Sequence, residues 1–85
     1  MLHLVELHYS RNSRPALLEY FDEHGVTSGQ PGVSVLGGWV ATEVFIAYLI
    51  VKADSVTNLE TAVGRLSQFG QVTHRHVVNL EDLAK

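Results

Sequence analysis

The sequence contains no cysteine, which excludes disulfide bonds and any metal site built from thiolates. This composition fits a reducing compartment, so we expect a cytoplasmic protein. Its 85 residues allow one domain, over residues 1–85. Because a chain this short buries only about 60–65% of the surface that its unfolded form exposes, its stability is marginal without help. Association with a second copy is the simplest remaining source of that help.

Basic residues and long apolar runs are also scarce. The six lysines and arginines are scattered singly along a chain of net charge −3, whereas nucleic-acid-binding proteins usually carry a basic stripe. The longest apolar run, Val44–Val51, is far shorter than the roughly 20 residues that cross a bilayer. His3, Glu6 and His8 interrupt the first ten residues where a secretory signal would be apolar. We therefore expect neither a nucleic-acid partner nor a membrane partner.

Hydrophobic periodicity predicts four strands and two helices. In chain order the predicted elements are a strand at Leu2–Tyr9, a helix at Ala16–His24, a loop at Val26–Gly32, a strand at Val33–Val40, a turn at Ala41–Glu43, a strand at Val44–Val51, a helix from Asp54, Ser55 or Thr57 to Gly70, a strand at Gln71–Leu80 and a polar tail. The order βαββαβ predicts the ferredoxin-like arrangement, an α+β fold with a four-stranded antiparallel sheet and both helices on one face.

Local signals support these helices. Pro15 suits a first helical turn, Ser13 or Asn12 could cap it, and Gly25 is a plausible stop. Thr57 and Glu60 have the spacing of a capping box. The apolar stripes are predicted to be Leu17, Leu18 and Phe21 on the first helix, and Leu59, Ala62, Val63, Leu66 and Phe69 on the second. In the second strand the pair Gly37-Gly38 predicts a bulge or a close approach by another backbone.

The third strand is apolar on both faces, although an antiparallel sheet with helices on one side normally alternates. Its odd positions suit the helix side: Phe45, Ala47, Leu49 and Val51. Its even positions form a second apolar surface, to which Leu4 and Leu36 could add: Val44, Ile46, Tyr48 and Ile50. Such a patch is unusual on a monomer. Covering it with a second copy predicts a two-fold homodimer.

The polar residues of the first and last strands are the candidates for chemistry. If Val72, His74, His76 and Val78 face the helices, then Arg75 lies with Glu6 and His8 on the opposite face. Glu6 and Arg75 could form an ion pair there, with Tyr48 entering from the third strand and Trp39 nearby. An acid, an imidazole, a guanidinium and a phenol in an apolar cavity would suit proton transfer or anion binding.

A one-residue change of register gives the other arrangement. His74 and His76 would then join Glu6 and His8, a set that can bind zinc or another divalent metal. We favour the first register, because Val72 and Val78 suit the helix side, and we expect no metal and no cofactor. Simpler interpretations also hold: the Glu–Arg pair as ordinary cross-strand pairing, the two histidines as polar residues of an edge strand, Trp39 as a core or interface residue, and His3 and His24 as solvated or partly packed.

Four segments carry a resemblance to a known family: VELHY, VLGGWV, IVKADSV and VVNLEDL. They resemble a family of small bacterial proteins catalogued as a domain of unknown function, within the dimeric α+β-barrel superfamily. The most specific residues of this resemblance are Gly37, Trp39 and Asp54. The sequence departs from the family in Lys52, where members tend to carry an acid, and in a second helix without tryptophan. The resemblance implies a dimer of two sheets facing each other around a cavity, and no established activity.

Three classes of function remain open. The first is a small-molecule binding or sensing dimer that uses Glu6, His8, Trp39, Tyr48 and Arg75. The second is a cofactor-independent enzyme of the isomerase or monooxygenase type, which the superfamily resemblance allows. The third is a structural or regulatory dimer with no small-molecule site. Whether the protein is an enzyme is not decided by the residues alone.

Overall fold

A computed structural model of the chain describes residues 1–24 and 31–83. Its regular elements, in chain order, are β1 (Leu2–Tyr9), α1 (Arg14–His24), β2 (Val33–Val40), β3 (Ile46–Ala53), α2 (Val56–Leu66), β4 (Gly70–Val77) and the short α3 (Leu80–Leu83). Turns of 3-10 helix precede α1 at Arg11–Ser13 and follow α2 at Ser67–Phe69. No helix among the described residues is long and apolar enough to cross a membrane.

The four strands form one sheet in the order β2-β3-β1-β4, and every neighbouring pair is antiparallel. β1 and β3 are therefore the inner strands, and β2 and β4 are the edges. This is the ferredoxin-like α+β arrangement that the element order predicted, and the prediction is confirmed.

The two faces of the sheet differ because successive side chains of a strand point to opposite sides. On β1, Val5, Leu7 and Tyr9 are buried, and on β3 the buried residues are Ala47, Leu49, Val51 and Ala53. They pack against both helices in one core, whose helical members are Leu17 on α1 and Leu59, Ala62 and Leu66 on α2. We call this side the helix-facing side and the other the open face. The predicted helix side of the third strand is thus confirmed for Ala47, Leu49 and Val51.

The bounds of two strands differ from the prediction. β3 begins at Ile46 rather than Val44, and continues to Ala53. Val44 and Phe45 lie in the connection after β2 and are 49% and 41% exposed, although the Phe45 carbonyl still accepts a hydrogen bond from the Tyr9 N–H at 3.1 Å. β4 ends at Val77, and α3 begins at the last residue of the predicted strand and continues into the described part of the predicted tail.

The helix starts were predicted only approximately. Ser55 caps α2, because its hydroxyl accepts the Asn58 N–H at 3.1 Å. Thr57 lies inside that helix, so the predicted capping box does not form its start. At the first helix Ser10 caps the 3-10 turn, one turn before the predicted position. The predicted stop at Gly25 lies outside the described residues.

The apolar stripe of α1 is also shifted from the prediction. Leu17 is buried, but Leu18 is 49% exposed. Tyr20 takes its place beside the core, with its ring 5.2 Å from that of Phe69. The predicted stripe of α2 is correct, with Val63 partly buried against the other four residues.

The glycine pair of β2 marks a bulge, as predicted. Val35 pairs with Val51 and Gly37 pairs with Ile50, so Leu36 is an extra residue in the register. Leu36 is 61% exposed. The bulge lets Gly37 and Trp39 share the open face while Val33 and Val35 pack toward the helices.

Candidate functional site

The open face consists of transverse rows of side chains, because residues paired across antiparallel strands share a face. The central row crosses all four strands, from Trp39 through Tyr48 and Glu6 to Thr73. The row beside it runs from Gly37 through Ile50 and Leu4 to Arg75, and on the other side Ile46, His8 and Gln71 form a shorter row. All five predicted site residues therefore lie on the open face.

The central row brings together three of those five residues. Tyr48 lies between Trp39 and Glu6 as their direct cross-strand neighbour. Neighbouring side chains on one face of a sheet have Cβ atoms about 4.5–5.5 Å apart. An indole, a phenol and a carboxyl group are therefore side by side on a surface otherwise rich in Leu and Ile. Tyr48 and Glu6 are half-buried, whereas Trp39 is 61% exposed.

Glu6 and His8 interact along β1. They are two residues apart and therefore share the open face, where the His8 Nε2 lies 3.4 Å from the Glu6 Oε2. The side chains are 46% and 26% exposed, His8 being the more open. This contact places a carboxylate next to an imidazole, a combination that can accept and relay a proton.

Arg75 lies farther from Glu6 than the sequence suggested. The register places Arg75 opposite Leu4, and Thr73 opposite Glu6. Among the described residues, the Glu6 carboxyl group contacts the His8 imidazole and no ion pair joins it to Arg75, so the expected Glu6–Arg75 pair is not formed. Arg75 is exposed and one row away, where its guanidinium can meet an anionic group lying across the central row.

Trp39 lies over the bulge glycine. A Cβ added at Gly37 would stand 2.7 Å from the Trp39 Cη2, and 3.3 Å from two further ring atoms. A side chain at residue 37 would therefore push the indole away from the sheet. Glycine at this position leaves room for the indole over β2.

A pocket of about 230 Å³ lies at the β2–β3 end of the molecule, lined by Phe21, Gly38, Trp39, Val40, Ala47 and Leu49. Most of its lining comes from the helix-facing side and from α1. It is apolar and holds none of the titratable residues considered above. It is therefore distinct from the cavity between two sheets that the sequence analysis predicts.

Strand β4 turns its histidines toward the helices. His74 pairs with Val5 and His76 with His3, so both lie on the helix-facing side, as in the favoured register. They join His3, which the sequence analysis treated as solvated or partly packed. That expectation is wrong, since His3 is 5% exposed. The signal was its parity: His3 is two residues from Val5 and therefore shares its buried face.

The environment of His3 disfavours its charged form. Burial lowers the pKa of His3 below its ordinary value, and the neighbouring His74, His76 and amino terminus lower that pKa further. Its Nδ1 and Nε2 are both buried without a hydrogen-bond partner among the described residues. The neutral form of His3 is therefore favoured, and its ring lies beside the rings of His74 and His76, where β1 pairs with the edge strand β4.

Comparisons with known proteins give the family and the fold. A search of curated proteins found no match. Among solved structures, the chain is similar to the crystal structure of an uncharacterized NIPSNAP domain protein from Burkholderia xenovorans, with a TM-score of 0.56 and 8% identity over 93% of this chain and 95% of that one. At this identity the likeness shows the fold alone. The family model described as a domain of unknown function (DUF3303) matches residues 1–85, and the chain belongs to that family.

Proposed function

We propose that the protein is a homodimer whose two open faces enclose a cavity that binds a small molecule. The observation that carries the proposal is the central row, in which Trp39, Tyr48 and Glu6 stand side by side on a face that the helices do not cover. A second copy turned by a two-fold axis would present the same row to the first. The cavity would then have aromatic walls and carboxyl groups from both copies.

The apolar part of the open face supports the dimer. Leu4, Ile46 and Ile50 surround the central row, and within one chain they are only half-buried. Removing apolar surface from water contributes about 25 cal/mol per Å², so pairing two such faces would stabilise a chain that is short of core. The polar residues at its centre then need a partner, because a buried polar group without one costs about 1–3 kcal/mol.

The side chains indicate the chemistry of the ligand. The indole of Trp39 offers a flat surface on which a planar ring can stack, and the Tyr48 hydroxyl can donate or accept a hydrogen bond. Arg75, one row away, suits a carboxylate or phosphate group. We therefore expect a planar molecule that carries an acidic substituent for Arg75 and a hydrogen-bond donor for Glu6. We also propose a cytoplasmic location, which the lack of cysteine supports.

One contact supports an enzyme as the second candidate. The Glu6–His8 pair is a proton acceptor next to the same row, so a ligand with an acidic hydrogen could be deprotonated there without a cofactor. A purely structural dimer is the third candidate, and it would retain the interface but bind no small molecule.

The dimer is tested by sedimentation equilibrium at micromolar concentration. The wild type is expected at about twice the chain mass of 9.4 kDa. The substitution Tyr48→Glu places a charge in the proposed interface and is expected to give monomers or unfolded protein. Thr57→Glu, on the exposed start of α2, is the matched control and should remain a dimer. A monomeric wild type, or a stable dimer with Tyr48→Glu, would overturn the proposal.

Ligand binding is tested by following the fluorescence of Trp39, the only tryptophan of the chain. A panel of planar carboxylates and phosphates is screened first by thermal shift, and hits are then titrated. Binding through the central row predicts that Glu6→Gln and Arg75→Gln each weaken a hit by about tenfold, the cost of one charge-assisted hydrogen bond. Glu60→Gln, on the exposed face of α2, should leave it unchanged. If the protein is a dimer and neither site substitution changes the affinity for any hit, the result would favour the purely structural dimer.

A further inference from the structure

We propose that His3, His74 and His76 form a binding site for a divalent transition metal ion of the zinc class, separate from the open face. The three imidazoles lie on the helix-facing side, at the margin where β1 pairs with the edge strand β4. They come from two strands. A metal held by all three would fasten the edge of the sheet to its centre.

The register brings the rings together. His3 is the direct cross-strand partner of His76, and His74 is two residues along β4 on the same side. The ring centroid of His3 is 5.4 Å from that of His74 and 5.5 Å from that of His76. The backbone alone therefore positions one histidine against a His-x-His pair.

The two separations from His3 are close to those that a tetrahedral zinc ion requires. With a Zn–N distance of 2.0–2.1 Å, each ring centroid lies roughly 3.2 Å from the ion, and two such centroids are about 5 Å apart. The observed separations exceed this value by only a few tenths of an ångström.

The second observation is the buried and unpartnered state of His3. Its ring is 5% exposed, and neither ring nitrogen has a hydrogen-bond partner in the part of the chain that the structure describes. Buried polar atoms are nearly always satisfied, and an exception often marks a place for an ion or a water molecule. Coordination would give one of these nitrogens a partner. Coordination takes place through a ring nitrogen of the neutral imidazole.

The rings must turn to coordinate an ion. In their present orientation no group of three or more His, Cys, Asp or Glu side chains within residues 1–24 and 31–83 is arranged to hold one. His74 and His76 are exposed on an edge strand, so rotation about their side-chain bonds meets little packing. Three imidazoles without a carboxylate select Zn²⁺, Co²⁺, Ni²⁺ or Cu²⁺ over Mg²⁺ and Ca²⁺, and they leave a fourth position for water.

The test uses the full chain, prepared without a histidine tag and stripped of metal with a chelator. Zn²⁺ is titrated in competition with a chromophoric chelator, and Co²⁺ is titrated separately to record the visible absorption of a nitrogen-ligated ion. One ion per chain and a rise in melting temperature are expected. His74→Ala and His76→Ala should each weaken Zn²⁺ binding by at least about tenfold. Both residues are exposed, so the variants are expected to fold, and circular dichroism checks this.

His24→Ala is the matched control, because His24 lies on α1 with its side chain 54% exposed, and it should bind Zn²⁺ as tightly as the wild type. His8→Ala is a second control, and it separates this site from the Glu6–His8 pair of the open face. Binding that is absent in the wild type, or that the substitutions at residues 74 and 76 leave unchanged, would overturn the proposal. The outcome does not depend on whether the open face binds a small molecule.

Discussion

The two faces of the sheet are made by the same strands and yet differ in almost every respect. On β1, Val5 and Leu7 are 0% and 1% exposed against the helices, while Leu4 and Glu6, their immediate neighbours, are only half-buried on the open face. The helix-facing side is apolar except for His3 and the two edge histidines. The open face mixes Leu and Ile with an acid, an imidazole, a phenol and an indole.

The difference separates what stabilises the chain from what the chain can bind. The helix-facing side buries the hydrophobic core, so its residues determine whether the chain folds. The open face contributes little to that core. Its composition is better explained by contacts made outside the chain, which is why the proposed dimer and ligand both belong there. His3, His74 and His76 are the exception, because they are polar residues on the helix-facing side.

Truncating one leucine on each face should give the largest contrast. Leu7→Ala removes a fully buried side chain, and it is expected to lower the free energy of unfolding by about 2–5 kcal/mol. Leu4→Ala, on the open face of the same strand, should cost the isolated chain clearly less and act mainly on dimer formation. Urea denaturation measures the first effect and sedimentation the second. Equal losses of stability in a monomeric background would mean that the two faces are not different.

Two glycines give a smaller contrast of the same kind. A Cβ at Gly70, the first residue of β4, would overlap the backbone carbonyl oxygen of His8, and backbone cannot move aside cheaply. Gly70→Ala is therefore expected to cost about 1–3 kcal/mol. The three atoms nearest to a Cβ at Gly37 belong to the indole of Trp39, an exposed ring that can turn away. We therefore expect Gly37→Ala to cost less and to change the fluorescence of Trp39. Thermal unfolding of both variants checks the order.

The pH dependence of the metal-free protein should report on His3, with the smallest effect. Burial, His74 and His76 lower the pKa of His3 in the folded chain. In the unfolded chain that pKa is about 6.5, so below this pH the unfolded chain binds more protons than the folded chain. Stability should thus be full above that pH and fall as the pH drops below it. Urea unfolding between pH 7.5 and 5 measures this fall. His3→Leu should flatten it and His24→Ala should preserve it; the same slope in all three proteins would contradict the assignment.

Much of this comparison could be predicted from residue patterns. The period of two in Ala47, Leu49 and Val51 identified the helix-facing side of β3, and the helical spacing of Leu59, Ala62 and Leu66 identified the buried stripe of α2. The open-face position of Arg75 followed from the valines that flank the β4 histidines. The buried stripe of α1 was less predictable, because both Leu18 and Tyr20 are apolar enough to pack. How the helix lies on the sheet decides that Tyr20 packs against the core and Leu18 is exposed.

The sequence by itself determined the order of the helices and strands, which side chains of each strand face the helices, and the apolar residues of the open face. These features depend on local periodicity. The tertiary structure decided the pairing register, because the register is a relation between two strands and is not encoded in the periodicity of either one. That register put Thr73 rather than Arg75 opposite Glu6, and it placed Tyr48 between Glu6 and Trp39. It also brought His3 to His74 and His76 across more than 70 residues of sequence, since antiparallel pairing joins the two ends of the domain.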